Sequence, residues 1–205
     1  RGVLSVVPMI LVALPLALIT VRLEELHVGA RGAFWTLLPV QRMLIAGRAL
    51  WFYTDKLIWP SNLTFIYPRW NIDPAQWPLY LYPLAVVLVV LALWVSRRRI
   101  GRGPLIAVLF FCGTLFPALG FFNVFPMIYS FVADHFQYLA SIGLIALFAA
   151  LAAEFVGEGV AGARRLASMG LVLALALGAG TWRRTGVYKD IETLWADTLS
   201  RNPQC

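Results

Sequence analysis

The chain has 205 residues, of which 60% are apolar and only 13% charged, with a formal net charge of +7. This composition excludes an ordinary soluble domain and points to a protein with several membrane spans. The positive charge is not a nucleic-acid signal, because the Arg residues sit beside apolar spans, where they set orientation and meet anionic lipid headgroups.

Residues 3–21 form the first expected span, kinked by Pro8 and Pro15. The stretch has no small-residue cleavage pattern behind a basic start, so it does not read as a signal peptide. Residues 34–53 are apolar but carry Gln41, Arg42 and Arg48. An intramembrane Arg costs about 3 kcal/mol or more, so it must face protein or water. Gln41, Arg48 and Asp55 recur every seven residues, on nearly one helical face. This polar seam reads either as a groove for a lipid phosphate or sugar, or as the wet side of an interfacial helix with snorkelling Arg.

Residues 56–76 read KLIWPSNLTFIYPRWNIDPAQ, a loop rich in Trp, Tyr and Pro. Arg69, Trp70 and Asp73 suit stacking on a sugar ring and hydrogen bonding to its hydroxyls, although aromatic residues also mark a membrane interface. Uncharged spans follow at 77–95 and 104–122, joined by SRRRIGRG at 96–103. Further spans are expected at 138–153 and 166–182, with a second basic connection at 157–165. The two Arg-rich connections point inward, which places the aromatic loop and the 123–137 region on the outer face. Small residues, Ala174, Ala176, Gly178 and Gly180, would let the last span approach a neighbour closely. Cys112 lies in a span and Cys205 is terminal, a spacing with no metal or disulfide signature.

Residues 123–143, NVFPMIYSFVADHFQYLASIG, place a polar cluster at the edge of a span. Ser130 is the expected cap of the helix that follows, and a helix start suits a phosphate. His135 adds a proton-tunable donor, with Asp134 and Tyr138 four residues apart on one helical face. A capped helix in an aromatic belt explains the same residues without a ligand.

From Val187 the character changes to VYKDIETLWADTLSRNPQC, where Ile191, Leu194, Trp195 and Leu199 have helical spacing. The organisation expected is a partial transmembrane domain over 1–186 and the start of an outer-face helical region over 187–205. Starting at Arg1 and stopping within this unit, the chain reads as part of a longer one.

The strings VADHFQYLASIG and FIYPRWNID resemble segments of the tetratricopeptide-repeat protein O-mannosyltransferases, and of their bacterial relatives above all. Val132, Ala133, Tyr138, Leu139, Ser141 and Gly143 match that pattern, whereas Asp134 replaces Glu, His135 replaces Arg and Ala140 replaces Pro. The resemblance implies an all-α, polytopic GT-C-type helix bundle of about five or six spans that ends where a tetratricopeptide region begins. It implies transfer of a sugar, mannose, from a polyprenyl-phosphate carrier to Ser or Thr of a protein acceptor. The donor is a substrate and no cofactor or metal is expected. Arg48, Asp134, His135 and Tyr138 are the candidates for the donor phosphate, and Arg69, Trp70 and Asp73 for the sugar or acceptor. By the same resemblance the catalytic carboxylate lies upstream of Arg1. The expected location is a bacterial inner membrane, or the endoplasmic reticulum membrane in a eukaryote, with loop and tail on the periplasmic or lumenal side. The other functions compatible with the sequence are a non-catalytic anchor for a repeat array, and a lipid-linked glycan polymerase, ligase or transporter.

Overall fold

The computed structural model describes residues 7–23, 36–203 and 205. Helices α1 (Val7–Leu23), α2 (Pro39–Ile58), α3 (Leu81–Ser96), α4 (Gly103–Leu115), α5 (Tyr138–Val156), α6 (Gly159–Thr185) and α7 (Ile191–Arg201) and short 3-10 turns make up the regular structure of these residues. Residues 3–6 of the expected first span, the polar connection at 24–35 and the first two residues of the 34–53 segment lie outside them.

Among the described residues three helices are long and apolar enough to cross a membrane: Trp77–Ser96, Asp134–Val156 and Gly159–Tyr188. Gly103–Ala118 is apolar but shorter. Helices α3, α4, α5 and α6 pack in chain order, each on the next. The α4–α5 crossing is close because Gly143 has no Cβ, which would stand 2.7 Å from the Ala107 carbonyl oxygen.

Two boundaries differ from the sequence expectation. Helix α4 stops at Leu115 and tightens into a 3-10 turn, Phe116–Ala118, instead of running to 122. Pro117 explains this, since it has no N–H and its ring crowds the preceding turn. The basic connection expected at 157–165 is mostly helix: the chain reverses at Gly157 and Glu158, and Arg164 and Arg165 lie within α6. With 27 residues α6 is about 40 Å long, close to a bilayer with its headgroups, so each Arg pair sits near an end. The close contact expected of its small residues is not made, for a Cβ at Gly178 or Gly180 would meet nothing within 4 Å.

Helix α2 starts well, with Pro39 in its first turn and Gln41 Oε1 accepting the Leu38 N–H at 2.9 Å. Near that start Arg42 donates to the Gly120 carbonyl and to Asn123 Oδ1, both at 2.8 Å. Near the other end the Tyr53 hydroxyl accepts the Ala133 N–H at 3.1 Å. Gly120, Asn123 and Ala133 all belong to the connection from α4 to α5, so α2 lies across this end of the bundle. Its lower face supplies Ala46, Ala49, Leu50 and Tyr53 to a core shared with Phe111, Leu115, Val132, Ala140 and Leu144.

Candidate functional site

The connection from α2 to α3 folds back over α2. Lys56 starts the return by donating to the Ser61 carbonyl at 2.8 Å, and Asn62 turns the chain at φ 52°, where an Asn is tolerated. Gln41 Nε2 then donates to the Ile72 carbonyl at 3.0 Å. Between these ties Phe52 presents its ring to the edges of Tyr67 and Trp70, with centroids 4.8 and 5.9 Å away. The seam residues Gln41 and Arg48 thus serve the loop, whereas Asp55 is exposed beside Lys56.

The Arg48 guanidinium lies 4.4 Å from the Trp70 ring centroid, and that of Arg69 lies 4.7 Å from the Phe131 ring. Trp70 and Phe131 are themselves in contact at 6.3 Å. Two touching aromatic rings are therefore flanked by two cations, one over each ring, a geometry worth about 0.5–2 kcal/mol per cation–ring pair. Asp73 is set apart: its carboxylate accepts the Ala75 N–H at 2.9 Å and shapes the turn into α3.

The second polar stretch meets this loop through Asp134, whose Oδ1 accepts the Tyr67 hydroxyl at 2.9 Å. Burial first, and then the charge of Asp134, raises the Tyr67 hydroxyl above the usual tyrosine range, so it remains a neutral donor. His135 is exposed, its ring edge-on to Phe136 at 4.5 Å, and Tyr138 is 72% exposed. Asp134 and Tyr138 do not share a face as expected, because Asp134–Gln137 is a 3-10 turn. With three residues per turn, four positions rotate the side chain by about 120°. Nor does Ser130 cap the helix. It is buried, donating to the Val132 carbonyl at 2.8 Å and accepting the Val132 N–H at 3.2 Å. The structure thus joins Arg48, Arg69, Trp70 and Asp134 around the loop and leaves His135, Tyr138 and Asp73 outside that cluster.

Sequence reasoning passed over Tyr53 and Tyr67, and read Arg184 with its neighbour Arg183 as a basic pair lying on lipid headgroups. Buried tyrosines seek a partner for the hydroxyl, which was the available signal for the first two. Arg184, in the last turn of α6, forms a forked pair with Asp197 of α7 at 2.7 and 3.1 Å. Helix α7 is capped by Asp190, which accepts the Thr193 N–H at 2.7 Å. It docks on the loop through Trp195 against Phe65 at 6.2 Å and Asn202 near the Ile66 carbonyl at 3.5 Å. The aromatic loop and the C-terminal helix are therefore on one side of the bundle.

Among the described residues no group of three or more His, Cys, Asp or Glu is placed to hold a metal. Comparison with protein-family models, with curated proteins and with solved structures gives no match.

Proposed function

We propose that the chain is part of a GT-C-type membrane glycosyltransferase that moves mannose from a polyprenyl phosphate to Ser or Thr of a protein on the periplasmic or lumenal face. One observation carries the reading: FIYPRWNID and VADHFQYLASIG, the two strings that resemble the O-mannosyltransferases, meet at the Tyr67–Asp134 hydrogen bond. Two strings that merely belonged to separate interface belts have no reason to converge. In this reading Arg48 and Arg69 attract the carrier phosphate and Trp70 offers a face to the sugar, while the carrier chain stays in the bilayer beside α2. His135 and Tyr138 stand on the rim, where protein acceptors arrive. The tail from Val187 opens a tetratricopeptide region.

A second reading is favoured by α7, whose docking through Phe65 and Trp195 also suits an anchor that presents helices to a protein partner. Donor binding separates the two. With the protein that carries this chain in vesicles, mannosyl polyprenyl phosphate should quench tryptophan fluorescence. Arg48→Ala should weaken that binding by roughly 1.5–3 kcal/mol, the loss of one charge-assisted contact. Wild-type protein that binds no donor would leave the anchor reading.

A further inference from the structure

The hairpin between α5 and α6 is tightened by its glycines. Gly157 and Gly159 reverse the chain at φ 82° and 91°, a region other residues rarely enter. Gly162 presses the first turn of α6 against the Gly157 carbonyl, where a Cβ has no room. This brings Phe155 and Val156, in the last turn of α5, against Arg164, Arg165, Ser168 and Met169 of α6, around a cleft of about 530 Å³.

The charges of this cleft are not consumed by the protein. Arg42 and Arg184 are held by Asn123 and Asp197, and Arg48 and Arg97 by the rings of Trp70 and Trp94. Among the described residues Arg164 and Arg165 enter no salt bridge, although Glu154 and Glu158 belong to the same hairpin. Helical side chains lean toward the helix start, so both guanidinium groups lean from α6 toward the membrane edge. Apolar surface lies beside them: Phe155 is 92% exposed and Met169, one turn deeper than Arg165, is 54% exposed.

We propose that this cleft is a binding site for an anionic phospholipid, with the phosphate between Arg164 and Arg165 and an acyl chain along Phe155 and Met169. Charge complementarity selects this occupant. A neutral lipid leaves two cations unmatched, and an acidic peptide leaves the apolar wall facing hydrocarbon unused. Basic pockets between transmembrane helices hold anionic headgroups by this chemistry. The site is at the opposite end of the bundle from Arg48 and Asp134, so it is independent of the proposed transfer.

The test uses the full chain in phosphatidylcholine vesicles containing a trace of spin-labelled phosphatidylglycerol or spin-labelled phosphatidylcholine. Wild type should immobilise the anionic label in preference, on the order of tenfold for two nearby cations. Arg164→Gln with Arg165→Gln should remove most of that preference, and Arg164→Lys with Arg165→Lys should keep it. Arg98→Gln with Arg99→Gln, an equal loss of charge at the α3–α4 turn, should retain most of it. Equal losses in the two Gln pairs would reduce the effect to diffuse surface charge and overturn the site. Release of the label by millimolar inorganic phosphate would mark a free-anion site and overturn it as well, as would a wild type without preference.

Discussion

The hydroxyl of Tyr67 is bonded to Asp134, 67 positions further along the chain. Beside it the hydroxyl of Tyr53 accepts the N–H of Ala133. Two tyrosines thus pin consecutive residues at the entrance to α5, one from α2 and one from the loop above it. The orientation of Asp134 depends on the loop, and the loop depends on α2.

Tyr67→Phe removes the donor and leaves the half-buried Asp134 carboxylate without that partner, a change that costs about 1–3 kcal/mol. Thermal unfolding in detergent should show the loss, and Asp134→Asn, which keeps an acceptor oxygen, should lose less. The same pair predicts an alkaline effect. The folded Tyr67 has a raised pKa, so the folded state holds its proton when the unfolded chain releases it, near pH 10. Its contribution is complete below pH 10 and declines as pH rises toward the folded value. Unfolding followed against pH should show a shallower alkaline decline in Tyr67→Phe than in wild type.

How much of this was legible varies with the range of the interaction. The apolar runs at 77–95 and 138–153 fix helices by composition alone, and those helices are present at nearly those bounds. The seven-residue spacing of Gln41, Arg48 and Asp55 marked a polar face, but the loop that covers it is a tertiary fact with no local signature. Asp134 and Tyr138 failed for a local reason: a single 3-10 turn changes the angular step, and neither residue type reports it. Arg184 resembled a headgroup anchor until α7 brought Asp197 to it, since a partner across a helix–turn–helix cannot be read from spacing.

Glycine substitutions separate packed from lipid-facing helix surfaces. At Gly47 a Cβ would lie 2.5 Å from the backbone nitrogen of Pro83, so Gly47→Ala must push α2 from α3, at a cost of about 1–3 kcal/mol. Gly178→Ala meets nothing within 4 Å and removes a helix-weakening residue, so it should be neutral or stabilising by roughly 0.5–1 kcal/mol. Melting temperatures of the two variants should move in opposite directions or differ by several degrees.

The position of α2 across one end of the bundle predicts how labels divide. Leu38→Cys and Ile58→Cys mark the two ends of the helix, and both native side chains are exposed, 60% and 61%. A membrane-impermeant thiol reagent should reach both from the same side, the side of a reporter fused after Phe125, whereas a reporter after Arg99 should read the other. Labelling of the two cysteines from opposite sides would require α2 to cross.

The docking of α7 rests on a carboxylate and should therefore fail in acid. Arg184 holds Asp197 below the usual carboxylate range, with Arg201 adding to the effect at 3.2 Å. A depressed folded pKa means that the stabilisation is complete above the unfolded value, about pH 3.9, and disappears as pH falls through the folded one. The pair is sheltered yet not buried, with 20% and 17% of the two side chains exposed, so about 1 kcal/mol is at stake. Trp195 reports the event, because undocking removes it from Phe65. Its fluorescence, isolated against a background in which the other tryptophans are replaced by Phe, should change between pH 5 and about pH 2. Asp197→Asn should show the acid-type signal already at neutral pH, and Asp190→Asn, which preserves a capping oxygen, should leave the profile in place. A signal independent of pH in wild type, or an Asp197→Asn protein indistinguishable from it, would show that Trp195 and Asn202 hold the helix without the charge pair.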